Sequence, residues 1–247
     1  MVPRLVWNYQ KYPEEFAGWI DKVNAASLLI NLISIIRWSS HKSYLRDLEA
    51  AGIPVFPTLW IKKGEEGKIS KATSFQRRQA FMKPSIGSTS QGCLLFTVGE
   101  DDEKAKAHAS DQFGSQDELL LQPFSPSIME KGEFSVVLWD GAPSHGVRKI
   151  PVPGDYRAQD DYGATDEPWD PPAEVLDIAV RAVACAPDEW HYARVDLLND
   201  SEHGWRVIEL EMIEPSLFLR HCPNDQIERL SRCFANLARK GAAEKQR

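Results

Sequence analysis

Cysteine is scarce, with four residues in 247 (Cys93, Cys185, Cys222 and Cys233), none paired as CxxC and none near a histidine cluster. That spacing excludes a disulfide scaffold and argues against a structural zinc site. The thiols are expected to be reduced and mostly buried, as in a cytoplasmic protein. No apolar run approaches the roughly 20 residues of a membrane span. The first residues, MVPRLVWNYQKYPEEF, lack the apolar core and cleavage site of a signal peptide. Basic residues are in the minority, 29 Lys and Arg against 36 Asp and Glu. With no basic stripe interleaved with aromatics, a nucleic-acid partner is not expected. There is no internal repeat, no GxxxxGK[ST] loop, and no evident Ser/His/Asp or Cys/His set.

What is present suffices for a packed core, since 43% of the chain is hydrophobic and 26% charged. PEEFAGWIDKVNAAS (13–27) reads as a helix, with Pro13 in the first turn and Phe16, Trp19, Ile20 and Val23 along one stripe. HKSYLRDLEAA (41–51) reads as a second helix closed by Gly52. Strands are expected at 53–61 (weakened by two prolines), 79–85, 93–98 and 118–124, with a helix and loops over 99–116. FSVVLWDGAPSHGVRKIP (134–151) is a hairpin turning at Asp140-Gly141. Residues 152–172 are too rich in Pro, Gly and Asp for regular structure. A helix over 173–186, a hairpin pairing 191–198 with 205–212, and a helix over 224–240 complete the chain. Short strands and hairpins broken by single helices, without βαβ alternation, define an α+β class with antiparallel sheets.

The polar residues are less evenly spread. On a strand, residues i and i+2 point the same way, so Glu209 and Glu211 share a face, and Asp196 can join them if the two strands pair. Like charges this close are costly unless neutralised. A hard divalent cation is the natural neutraliser, since Mg2+ typically binds a few carboxylates together with substrate phosphates. A solvated acidic strand face is the alternative. FMKPSIGSTSQG places Lys83 at a strand end ahead of a small-residue loop, where an ammonium and several backbone N–H groups can meet a phosphate; an ordinary surface turn is the competing reading. Arg148 and Lys149 point in opposite directions, so only one of them can face a given site. Arg157 lies in the long loop, where a packing role is harder to supply. His145 reads more simply as a hydrogen-bonded sheet residue.

Taken in order, KPSIGSTSQG, LLQPFSPSIMEKGEFSVV, SHGVRKIPVPGDYR, ARVDLL and IELEMIEPSLFL resemble the ATP-grasp carboxylate–amine ligases. The resemblance is to the glutathione-synthetase-like branch and, within it, to the group that contains D-cycloserine synthetase; it covers roughly residues 4–220. It implies two α+β subdomains clasping ATP. The divisions would be a remnant N-terminal α/β subdomain (1–54), a small subdomain (55–121), a large subdomain with the metal site (122–240) and a flexible tail (241–247). It implies that Lys42, Lys83 and the Ser88 loop face the nucleotide, that Gln122, Pro123 and Phe124 form the hinge holding adenine, and that Glu133 approaches nucleotide or substrate. Asp196, Glu209 and Glu211 would hold Mg2+, with Mn2+ as an alternative ion. Lys149, Arg157 and Arg194 would stabilise the acyl-phosphate and the tetrahedral intermediate.

The reaction so implied is ATP- and Mg-dependent activation of a small amino-acid-like carboxylate as an acyl-phosphate for attack by an amine, either that of a second molecule or, in a cyclisation, that of the same one. The alternative is a catalytically silent nucleotide-binding module or fragment. Two departures from the family stand out. The N-terminal α/β subdomain is shortened, which leaves an apolar face that homodimerisation would cover. The loop after Lys83 is poor in glycine, and Gly163-Ala164 replaces a paired glycine. Replacing Asp196 or Glu209 by its amide is expected to abolish turnover while sparing or raising stability, because it relieves like-charge repulsion.

Overall fold

The computed structural model of the chain describes residues 1–3, 6 and 8–244, with side chains described as far as Gly241. Of the expected flexible tail, 241–244 continue the C-terminal helix, and 245–247 lie outside the described residues, as do Arg4, Leu5 and Trp7 of the RLVWNYQKYPEEF stretch. Three helices come first: α1 (Pro13–Ala26), α2 (Ile33–Ser40) and α3 (Tyr44–Ala50). Pro13 starts α1, and Glu14 and Glu15 lie in its first turn, where the positive end of the helix favours acids.

A four-stranded antiparallel sheet follows, built from β1 (Leu59–Lys62), β2 (Gln79–Pro84), β3 (Leu94–Thr97) and β4 (Glu118–Pro123), in the order β1-β4-β2-β3. Helix α4 (Asp102–Gln112) is polar throughout, yet it seats on this sheet through Ala105 and Ala109, one turn apart. A second antiparallel sheet has the order β7-β6-β5-β8-β9. Its strands are β5 (Glu133–Trp139), β6 (Ala142–Ile150), β7 (Thr165–Trp169), β8 (Tyr192–Asp200) and β9 (Gly204–Glu211). Helix α5 (Ser127–Lys131) links the sheets, α6 (Ala173–Val183) follows β7, and α7 (Asn224–Glu244) ends the described chain. At the β5–β6 turn, Asp140 (φ 52°) and Gly141 (φ 78°) are both left-handed, as a two-residue hairpin loop with the favoured twist requires.

The large sheet is covered on both faces. On one, Val136, Leu138, Val195 and Leu210 pack with α6 and with Ile35, Leu45 and Leu48 of the N-terminal helices. On the other, Val137, Trp139, Val147 and Tyr192 pack with Leu230, Cys233 and Leu237 of α7. All four cysteines are free thiols, two buried and two half-buried.

Two local expectations are revised, and one helix, α2, has no counterpart in the sequence reading. The segment 53–61 contributes only its end to β1. Ahead of that, Pro54 O accepts Val207 N (2.8 Å) and Val55 bridges to Val207, so the proline-containing stretch runs beside the edge strand β9. The run ISIIRWSS forms α2 without a side-chain cap; its isoleucines are held by burial of Ile35 and Ile36 rather than by a local helix signal. The stretch 152–172 is not wholly irregular, because 165–169 pairs with β6 as an edge strand. Pro168 is tolerated there since an edge strand has one side without ladder bonds. Asp166 on this strand pairs with Arg220 and His221, fastening the loop to the segment that follows β9.

Candidate active site

Strand register brings the polar residues together. Asp196 on β8 faces Ser135 on β5 and Glu209 on β9; Arg194 faces Glu211; and Glu133 on β5 faces Lys149 on β6. Four adjacent strands thus set seven polar residues in neighbouring pairs. Asp196 is the centre. Its carboxylate accepts from Ser135 Oγ (2.5 Å), from Arg194 Nε (2.9 Å) and Nη2 (2.8 Å), with Lys149 Nζ at 3.5 Å. Arg194 Nη2 also donates to Glu211 (2.6 Å), and Lys149 pairs with Glu133. Lys42, between α2 and α3, donates to Gly87 O (3.0 Å) and pairs with Glu209, reaching from the loop after Lys83 across to the large sheet.

The acids do crowd, as their spacing implies. One oxygen from each of Asp196, Glu209 and Glu211 lies within 4.8 Å of the others. The protein's own cations, Arg194, Lys149 and Lys42, lie against them and offset part of that charge. Burial would raise the Asp196 carboxyl, but Arg194 and Lys149 outweigh it and hold the group well below the usual range. Glu209 is likewise lowered, since Lys42 and Lys83 overcome its burial. Glu211 goes the other way, up to about 7. Its burial, with Glu209 and Asp196 nearby, exceeds the pull of Arg194, even though 33% of its side chain reaches solvent. Glu133 is also raised, by burial that Lys149 only partly offsets.

The donor set fits a hard divalent cation. All three ligands are carboxylate oxygens, and Glu209 (31% exposed) and Glu211 are reachable. Asp196 (2% exposed) sits behind them with both oxygens engaged. The same arrangement revises the stability expectation for the amide variants. Asp196→Asn removes the acceptor from a buried guanidinium, so a loss of stability is now expected rather than relief of repulsion.

Between the two sheets runs an open cleft enclosing about 870 Å³ of atom-free space. One end is apolar, walled by Phe56, Phe81, Phe124, Ile128, Leu198 and Ile208. The other is charged, lined by Lys42, Lys83, Glu133 and Glu209, with the loop 87–91 along its rim. Lys83 is buried, donates to Ile208 O (3.3 Å), and makes no ion pair among the described residues. Burial and the nearby Lys42 ammonium lower its pKa. Thr89 (φ 49°) and Ser90 (φ 56°) are consecutive left-handed residues without glycine, a costly conformation for a loop rim.

Of the residues singled out from sequence, Lys42, Lys83, Ser88, Gln122, Pro123, Phe124, Glu133 and Glu209 line the cleft, and Lys149, Arg194, Asp196 and Glu211 continue the network beside it. Arg157 stands apart. It is bound to Asp155 and stacked over Tyr162 (3.9 Å), and among the described residues it pairs with no acid of the cleft. Sequence reasoning missed Ser135 and Tyr156. Ser135 reaches Asp196 only through strand pairing. Tyr156 closes the apolar end edge-on to Phe81 (5.3 Å) and Phe124 (6.0 Å). Glu214, which follows β9, is buried and accepts Val6 N (2.7 Å).

Two antiparallel sheets clasping a cleft, apolar at one end and lined by lysines and acids at the other, are the architecture of the ATP-grasp ligases. The chain is similar in sequence and fold to ligases of that kind, and the similarity supports ATP-dependent ligation of a carboxylate to an amine. It is similar to the cycloserine biosynthesis protein DcsG of Streptomyces lavendulae, 27% identical over 241 residues, covering 89% of this chain and 77% of that one. The crystal structure of the D-cycloserine synthetase DcsG superposes with a TM-score of 0.86 at 25% identity, over 95% of this chain and 82% of the other. Two further structures share the fold. D-alanyl-alanine synthetase A of Vibrio cholerae has a TM-score of 0.64 at 19% identity, over 83% and 67% of the two chains. The ATP-grasp ligase PsnB, solved with a minimal precursor, Mg and ADP, has a TM-score of 0.60 at 16% identity, over 86% and 63%. No family model matches the chain.

Proposed function

We propose that the cleft takes ATP with its base in the apolar end and its phosphates at Lys42, Lys83 and the loop 87–91, and that the chain activates a small amino-acid-like carboxylate as an acyl-phosphate. The observation that carries this reading is the junction of that charged end with the Asp196–Glu209–Glu211 cluster, where ligand oxygens lie within 4.8 Å. Glu209 and Glu211, backed by Asp196, would hold Mg2+, whose charge offsets that of the phosphates when bound.

The side chains do the remaining work by position and charge. Lys83, without an ion-pair partner among the described residues, is available to a phosphate oxygen. Lys42 already spans from Gly87 O to Glu209 and would hold the phosphate loop against the large sheet. An oxygen of the substrate carboxylate attacks the γ-phosphorus and the bond to the β-phosphate oxygen breaks. The amine nitrogen then attacks the acyl carbon, phosphate leaves, and the amine gives up a proton to solvent. Lys149, Arg194 and Arg157 are the cations that would face the charge developing on the acyl oxygen and the departing phosphate. An amine and carboxylate carried by one molecule would give a ring, the reaction to which the similarity with D-cycloserine synthetase points.

ADP release from Mg·ATP across a panel of amino acids with amino, amino-oxy or ureido groups tests the reading, with calorimetric titration of Mg·ATP alongside. Turnover with one member supports it. Binding without acceptor-stimulated turnover supports a silent nucleotide-binding module, and absence of both rejects the reading.

A further inference from the structure

Arg157 is the one sequence-selected cation that lies outside the cleft network, and its placement is specific. Asp155 takes it in a bidentate grip: Nε donates to both carboxylate oxygens (3.0 and 3.1 Å) and Nη2 to Oδ2 (2.6 Å). The backbone N–H of Arg157 donates to the same carboxylate (2.9 Å), closing a turn around the pair. The guanidinium carbon lies over the ring of Tyr162 (3.9 Å), whose hydroxyl donates to Thr89 O (3.0 Å) in the left-handed stretch of the loop 87–91. Ser90 donates to Gln159 (3.2 Å) across the same junction. Tyr156, between Asp155 and Arg157, sits in the apolar end of the cleft against Phe81 and Phe124. The turn that grips Arg157 therefore has its middle residue where the base would enter, and its stacking partner on the rim where the phosphates would lie.

We propose that Asp155 is a positioning residue that holds Arg157 outside the cleft while the nucleotide is absent, and that binding of a nucleoside triphosphate releases Arg157 to the phosphates. The inference rests on the reading of Arg157 as a phosphate-side cation. A base in the apolar end must contact Tyr156, and any shift of that ring moves its two neighbours in the chain. The phosphates compete directly for the guanidinium with a single carboxylate. The grip is weak enough to yield, because it lies at the surface, with 38% of the Arg157 side chain exposed. Holding the arginine in a non-binding state reduces apparent affinity by the fraction of molecules so held.

The test is calorimetric titration of Mg·ATP and, separately, of adenosine into the full chain and its Asp155→Asn, Arg157→Ala and doubly substituted variants. Asp155→Asn is expected to tighten Mg·ATP about two- to fivefold, the range of an exposed ion pair, and to leave adenosine unchanged. The gain is expected to vanish in the Arg157→Ala background. If Arg157→Ala weakens Mg·ATP while Asp155→Asn leaves it unchanged or weakens it, the storage role is overturned and the reading of Arg157 stands. If Arg157→Ala binds Mg·ATP like the unsubstituted chain, both fall. A melt on each variant guards against misfolding, and Asp155→Glu, which keeps the charge, should bind within twofold of the unsubstituted chain.

Discussion

Strand β8 carries two buried aspartates four residues apart, and they are held in different ways. Asp200 accepts the backbone N–H groups of Glu202 (3.0 Å) and His203 (2.9 Å), Ser125 Oγ (2.6 Å) and Arg77 (2.9 Å). Two of those donors belong to the main chain of the β8–β9 turn and cannot leave without unmaking it. Among the described residues Asp196 is held by side chains, accepting from Ser135 and Arg194 and pairing with Lys149, and its neighbours Glu209 and Glu211 reach solvent. Side-chain cations can rotate away when a metal ion or a phosphate arrives, whereas backbone amides cannot. A buried acid is therefore no signature of a metal site by itself; the replaceability of its partners is what separates a site from a structural pin.

The sharpest way to break this comparison is to neutralise each acid in turn. Glu209→Gln and Asp196→Asn are expected to lower turnover at least 100-fold, the scale of losing one preorganised charge contact, as read by ADP release per folded molecule. Asp200→Asn should stay within about threefold on the same scale. Stability should divide differently. Asp200→Asn and Asp196→Asn each leave a buried cation short of an acceptor and should cost on the order of 3 kcal/mol, measured by urea unfolding. Glu209→Gln, whose side chain is partly exposed, should cost under about 1 kcal/mol. Equal loss of turnover at positions 196 and 200 would erase the distinction.

Lys83 gives the next effect. It is a buried cation without an ion-pair partner among the described residues, and such burial by itself costs stability. Lys83→Met should weaken Mg·ATP binding by at least tenfold and leave the melting temperature unchanged or a few degrees higher. Lys42→Met, which strips Glu209 of its partner, should weaken binding and lower the melting temperature together.

How much of this could be read in advance follows from the range of each signal. Glu209 and Glu211 share a face through strand alternation, which was legible from spacing alone; the same parity sets Arg148 and Lys149 on opposite sides but does not say which of them faces the site. The α+β class and the Asp140-Gly141 hairpin were legible for the same local reasons. The reach of Lys42 over to Glu209, and of Ser135 to Asp196, spans 167 and 61 residues, a separation at which periodicity carries no information. Helix α2 owes its form to burial of Ile35 and Ile36, and β7 to pairing with β6, both tertiary causes. Arg157 was correctly placed in the long loop, but whether a loop arginine faces a cleft or a neighbouring aspartate depends on the fold around it.

The smallest expected effect separates a titrating group of the fold from those of the site. His145 on β6 bonds Leu217 O through Nε2 (3.1 Å) and Ser144 through Nδ1 (2.9 Å), beside Trp139. Burial, its largest influence, lowers its pKa despite those carbonyl contacts. In the range below about 6.5 the unfolded chain thus binds more protons at this position than the folded one, and stability falls on acidification. Glu211, held up to about 7, acts in the opposite sense: between its ordinary value and 7 the folded chain binds more protons, and stability rises as pH falls. The net curve mixes the two, so the informative quantity is a difference. Between pH 7.5 and 5.5, His145→Gln should lose about one or two degrees less in melting temperature than the unsubstituted chain, with ATP turnover at pH 7.5 little changed. Glu211→Gln should lose more than the unsubstituted chain over the same interval. If the two substitutions shift the interval in the same direction, one of the two pKa directions is wrong.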